Sequence, residues 1–194
     1  MLQLVRLTVI ALAVIVTGCA HQIKITPDVS AFKSEGVSTL DKKVGYYISK
    51  EDREKKVITP GGGGDKVQYY PYKELEPALQ KSLSIVFARV YSLESMQDPQ
   101  IAGNSLAYVF VPTIATNSSS DSVLTWPPTK FTVILACKAV DAQGATVWEK
   151  QFTGEGAAEF DEFKSDLSLA AKRASQNAFS QFQQAIASDQ QFRK

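Results

Sequence analysis

Histidine and cysteine, the side chains most often at the centre of catalysis, are scarce in this sequence. There is one histidine, His21, and there are two cysteines, Cys19 and Cys137. Ser-His-Asp and Cys-His sets need an imidazole beside the nucleophile, and zinc sites draw on His and Cys in groups. A lone histidine two residues after Cys19 assembles neither, so His21 reads as a solvated residue of a connecting segment. The run Gly61-Gly62-Gly63-Gly64-Asp65-Lys66 invites comparison with a phosphate loop. It lacks the spaced second glycine and the Lys-Ser/Thr ending, and no helix starts directly after it, so it reads as a flexible loop. Glu155, Glu159, Asp161, Glu162 and Asp166 offer oxygen ligands, but without the spacing of an EF-hand loop. They read as a solvated edge and as helix N-terminal charges favoured by the helix dipole. The residue inventory therefore predicts no catalytic residue, no metal site, no cofactor and no enzymatic activity.

Cys19 is different because of what precedes it. Met1 to Arg6 is a short, positive start, followed by the apolar run Leu7 to Val16 and then Thr17-Gly18-Cys19-Ala20. That order is the pattern of an export signal, and the run is about half the ~20 residues a membrane-spanning helix needs. Val16-Thr17-Gly18-Cys19 resembles the lipobox of bacterial lipoproteins, which ends in Gly or Ala and then Cys. The resemblance implies cleavage before Cys19, a diacylglycerol on its thiol and an acyl chain, of the palmitate kind, on its new amino end. Two or more acyl chains give stable anchoring where one gives only marginal binding. Ala20, rather than Asp, after the cysteine implies by the same resemblance the periplasmic face of the outer membrane, with the inner membrane as the alternative. With Cys19 lipidated, Cys137 has no partner for an intrachain disulfide. Its strand-like run, Phe131 to Cys137, predicts a buried, inert thiol.

Two features suggest binding. Thr116 to Thr129 is longer than an ordinary hairpin connection and carries Trp126-Pro127-Pro128. Trp126 either anchors a partner or folds back to cap the core. Tyr46-Tyr47 and Tyr69-Tyr70 lie in strand-like runs, where neighbours face opposite sides. One ring of each pair should point outward, and Tyr47 and Tyr70 are the candidates for a sugar- or protein-binding patch, against plain sheet packing. The chain carries 21 Lys+Arg against 20 Asp+Glu, which gives no footprint for nucleic acid.

The elements that must position these residues follow from periodicity. Residues 1–18 are the export signal, 19–42 a lipidated tether, 43–188 a periplasmic domain and 189–194 a C-terminal tail. The domain opens with a strand at Lys43 to Ser49, and Val67 to Tyr70 is a second short one. Leu75, Leu79, Leu83, Val86, Phe87 and Val90 line one face of a helix that starts after Pro71. Strands follow at Leu106 to Ile114, Lys130 to Val140 and Ala145 to Thr153. The last two are joined by Asp141-Ala142-Gln143-Gly144, a tight hairpin loop. A final helix beyond Asp166 has an apolar stripe of small residues, which predicts close packing on a sheet. The expected fold is α+β: a single mostly antiparallel sheet of about four strands with two helices packed on one face.

With the lipobox, this element order resembles a loose group of small Gram-negative lipoproteins. It includes the auxiliary lipoproteins of ABC transporters, the YajG-like lipoproteins and the lipopolysaccharide-assembly lipoprotein. The resemblance implies a non-enzymatic accessory or assembly subunit of an envelope protein complex, bound to the membrane through Cys19. The competing expectation is a ligand-binding lipoprotein for a glycan or lipid. An enclosed apolar cavity would favour a carrier; a flat exposed patch would favour a docking subunit.

Overall fold

The hairpin that the sequence marks most clearly forms one half of the larger sheet. The computed structural model describes residues 20–33 and 36–194. Strands β6 (Tyr108–Ser119), β7 (Lys130–Val140) and β8 (Thr146–Ala157) form an antiparallel meander. Its second turn is closed by the Asp141 carboxylate, which accepts from the N–H groups of Gln143 and Ala145, and Gly144 takes a φ of 82°. On the other side of β6 lie β2 (Leu40–Tyr47) and β5 (Phe87–Leu93), both parallel to their neighbours, giving the order β5-β2-β6-β7-β8. A second sheet has three strands in the order β1-β4-β3, from Ala20–Gln22, Lys66–Tyr69 and Val57–Pro60. Five α-helices occur among the described residues: α1 (Lys50–Glu54), α2 (Pro71–Val86), α3 (Gln100–Gly103), α4 (Phe160–Phe163) and α5 (Leu169–Ser188).

A single, mostly antiparallel sheet of about four strands is therefore wrong: there are two mixed sheets, of three and five strands. The physical reasons are specific. Helix α2 ends at Val86 and passes directly into β5, with Phe87 already extended (φ −116°, ψ 145°) and no glycine or proline to mark the change. Val90 fits the helical spacing by coincidence and belongs to the strand. Parallel pairing of β2 with both β5 and β6 leaves no local trace in sequence, because the partners are joined by long crossovers. Strand β1 exists only because β4 offers it an edge.

The core lies between the large sheet and the two long helices. Helix α5 covers β7 and β8, and α2 packs beside it over β5 and β6. Gly154 and Gly156 on β8 let α5 approach closely. A Cβ at Gly154 would collide with the backbone of Ala174 and Ala178, and one at Gly156 with that of Ala170 and Ala174. The small-residue stripe of α5 thus meets glycines rather than large side chains. Away from that seam the space is filled by rings: Phe110 packs against Phe87, Trp148, Phe182 and Phe192. Phe192, from the expected tail, is completely buried there, and Asp189 secures the turn by accepting from Trp148 Nε1 at 2.9 Å.

The segment expected to be a stand-off tether is packed along part of its length. Ile23, Ile25 and Phe32 are buried in the main core. The Ile25 N–H donates to Glu74 Oε2 at 2.7 Å, and the other oxygen of Glu74 accepts from the N–H of Tyr70. One carboxylate therefore closes the start of α2 and holds the incoming chain. The small sheet is fastened to the far end of β6, where Tyr69 donates to Thr116 Oγ1 at 2.8 Å and Ser118 donates to Thr59 Oγ1 at 2.6 Å.

Candidate functional site

Cys19 lies outside the described residues, but the chain that follows it is well placed. Ala20 opens β1 in register with Lys66, and His21 pairs with Val67. Any group on Cys19 therefore starts one residue from the small sheet. His21 is only partly exposed: its ring stacks on Trp126 with centroids 4.2 Å apart and an interplanar angle of 17°. Its Nε2 lies 3.4 Å from Asp65 Oδ2.

Trp126 is half-buried and packs against the main core. Of the two sequence readings, its environment matches the one in which the ring folds back. The loop is shorter than expected because β6 runs on to Ser119, which pairs with Lys130. The glycine run fastens the remainder. Gly62 N–H donates to the Trp126 carbonyl at 2.8 Å, and Gly63 N–H to that of Ser122 at 3.2 Å. A Cβ at Gly62 would collide with the Thr125 carbonyl, and one at Gly61 with that of Trp126. These two glycines serve close backbone approach, where only hydrogen fits. The reading of a flexible loop missed this partner, which sits more than fifty residues away in sequence.

Around this junction the surface is apolar. Among the described residues five large apolar side chains are exposed: Ile58, Val123, Leu124, Phe160 and Leu167, with Leu124 91% and Val123 81% accessible. A surface groove of about 400 Å³ runs past Leu124, Trp126, Phe160 and Leu167, with Asp65 and Lys164 at its rim. Asp65 also borders a second groove, which contains Ile58. The Lys24 N–H donates to Ser168 Oγ, so the strand from Cys19 passes beside the segment that carries Leu167.

The other sequence candidates do not join this site. Tyr46 and Tyr69 are buried, while Tyr47 and Tyr70 are half-buried, so each pair splits as its spacing predicts. Tyr47 packs into a small cluster on the outer face of the large sheet with Leu93, Leu106 and Val109. Tyr70 sits at the start of α2. The Tyr46 hydroxyl donates to Glu76, which also receives a forked pair of bonds from Arg53 at 2.8 and 2.9 Å. Those Arg53 bonds hold the Glu76 carboxyl below its ordinary value of 4.5, whereas burial pushes the Tyr46 phenol up. The Cys137 thiol is fully buried, and burial pushes its pKa well up, so it stays protonated.

Within the carboxylate group, Glu162 forms a capping box with Glu159 and a bidentate pair with Arg173. The Arg173 bonds come first in lowering its pKa to about 2. Asp161 pairs with Lys164, and Asp166 with Lys172. Among the described residues no group of three or more His, Cys, Asp or Glu side chains converges as a metal site would require. No helix among those residues is long and apolar enough to cross a membrane.

No family model matches this chain, and no curated protein matches it. Solved structures similar to this chain include a Xanthomonas campestris protein of the DUF330 family, 11% identical, with a TM-score of 0.46 over 87% of this chain and 92% of that one. A Caulobacter crescentus protein named as a candidate lipoprotein is 14% identical, with a TM-score of 0.41 over 77% and 92% of the two chains. PelC from Paraburkholderia phytofirmans, solved as a dodecamer, is 16% identical, with a TM-score of 0.41 over 75% and 92%.

Proposed function

We propose that this chain is a membrane-anchored lipoprotein, lipidated on Cys19, that serves as a non-enzymatic accessory subunit of an envelope protein complex. The observation that carries the docking role is the outer face of β6, β7 and β8, which beyond the buried Val109 and Val140 is exposed or half-exposed. Ile114, Leu135 and Phe152 are cross-strand neighbours facing the helices, and all are buried. The adjoining rows, Thr113-Ala136-Gln151 and Ala115-Ile134-Thr153, face the other way and are exposed or half-exposed. Two rows of mostly small and β-branched side chains, with Gln151 among them and Lys138, Glu149 and Glu155 in the flanking rows, suit a second protein surface better than an enclosed ligand. The ring-filled core supports the same choice over a carrier, as does the separation of Tyr47 and Tyr70 onto different elements.

The non-enzymatic reading is supported by how the reactive groups are engaged. His21 is stacked and paired, Cys137 is buried, and Glu76 and Glu162 are tied to arginines. Assignment to the outer membrane rests on Ala20 following the lipobox cysteine. Grouping with the YajG-like, transporter-auxiliary and lipopolysaccharide-assembly lipoproteins rests on the lipobox and on the order of strand, helix, strands and helix.

The test is a photo-crosslinking amino acid at Thr113, at Ala136 and, as a control, at the exposed Gln184 on α5, each in intact cells. The docking reading expects one discrete envelope-protein adduct from the two face positions and none from Gln184. Equal labelling at all three positions, or none at the face, would remove the face from the account. A glycan or lipid retained on the purified protein in native mass spectrometry would favour the ligand-binding alternative.

A further inference from the structure

We propose that the surface around Trp126 seats directly on the phospholipid leaflet, so that the domain lies on the membrane at this end instead of standing off from it. The inference rests on lipidation of Cys19 and adds an orientation to it. Three observations converge. First, the anchor has almost no reach: Ala20 is already paired with Lys66 in β1, and His21 is stacked on Trp126. One residue of chain spans less than ~4 Å. The leaflet that holds the acyl chains must therefore lie against whatever surrounds His21.

Second, that surrounding surface is where the exposed apolar side chains are. Val123 and Leu124 stand at the tip of the Ser120–Thr129 loop, and Phe160 and Leu167 flank the same groove. Ile58 borders the neighbouring groove across Asp65. Scattered exposed apolar residues are ordinary, but all five collected at one end mark a contact surface. Third, the loop tip is braced for insertion. Its carbonyls accept from Gly62 and Gly63, and Trp126 is wedged beneath it by His21. Leu124 and Val123 can thus enter the interface at little ordering cost, and an amphipathic indole lies at the depth that tryptophan favours. Lys66, beside one groove, is placed for phosphate headgroups, while Lys164 beside the other is paired with Asp161.

This orientation points the anchor end at the lipid and leaves the opposite end of the sheets to the periplasm. Burying an aliphatic side chain of leucine size corresponds to at least one tenfold step in an equilibrium, so Leu124→Asp should shift the loop from seated to free by about tenfold or more. Leu124 is 91% exposed, so the change leaves the fold intact.

The test reconstitutes the full lipidated protein into phosphatidylcholine and phosphatidylglycerol vesicles whose acyl chains are brominated near the headgroups. Tryptophan emission should be quenched in the wild type. Trp126→Phe should abolish the quenching, because the remaining Trp148 is buried in the core, and Leu124→Asp should strongly reduce it. Thermal unfolding of each variant in detergent checks that the fold persists. Protein that floats with the vesicles but is not quenched would overturn the seating while leaving the anchor in place, and would move the patch to a protein contact. Quenching unaffected by Leu124→Asp would overturn the role given to the loop. Protein that fails to float would overturn the anchor itself, and this inference with it.

Discussion

Truncating Ile25 to alanine tests whether the chain beyond the anchor belongs to the domain. Ile25 is completely buried, its N–H is bound by Glu74, and Ile23 two residues earlier is 2% exposed. The substitution removes three carbons at about 0.8 kcal/mol each, or ~2.4 kcal/mol of transfer free energy. The cavity left among α2 and the small sheet relaxes only in part, which brings the expected loss to ~3 kcal/mol, within the range for Ile→Ala in cores. With a urea slope of about 2 kcal/mol per M, the unfolding midpoint should fall by ~1.5 M. Lys24→Ala, at the exposed residue between the two isoleucines, should stay within about 0.5 kcal/mol of wild type. Both are measured by urea titration followed by far-ultraviolet circular dichroism. A midpoint for Ile25→Ala no lower than that of Lys24→Ala would refute the packing of this segment and return residues 20–33 to the status of a tether.

Three further outcomes follow from the packing and the charges. Gly154→Ala should destabilise by about 1–3 kcal/mol in the same titration, because its Cβ meets helix backbone that can move only with the whole of α5; no loss would mean that the helix sits farther from β8. Cys137 should not react with a thiol reagent at neutral pH until denaturant is added, since its thiol is buried and kept protonated; prompt labelling of the native protein would contradict its burial. Glu76 has its folded pKa held below 4.5, so its pairing stabilises fully above that value and is lost as pH falls through the lower folded one. Wild type should therefore lose more stability than Glu76→Gln between roughly pH 5 and pH 3 in thermal melts, by an amount reduced by the partial exposure of the pair.

Legibility in the sequence tracked how local each determinant is. The start of α2 at Pro71, the turn at Gly144 and the small-residue face of α5 were readable because each depends on near neighbours or on a period. Even the closeness of α5 to the sheet was foreseen, although the partner glycines Gly154 and Gly156 were not. The mixed sheet was hidden because β5 follows α2 without punctuation and pairs in parallel with a strand about forty residues earlier. At the candidate site, the lipobox singles out Cys19, which lies outside the described residues, and the folding back of Trp126 was one of two readings. The clustering of Leu124, Phe160 and Leu167 beside His21 was not, since it depends on β1 joining β4 and on glycines meeting a loop far along the chain. The alternation Ile23-Lys24-Ile25 was the available hint, and its buried positions are those the structure fills.

The account turns on Cys19. The direct measurement is intact and peptide-level mass spectrometry of the protein extracted from its native membranes. The account predicts a mature chain that begins at Cys19 and carries diacylglycerol on the thiol and an acyl chain on the amino group. A chain that begins elsewhere, or a Cys19 without lipid, would contradict it.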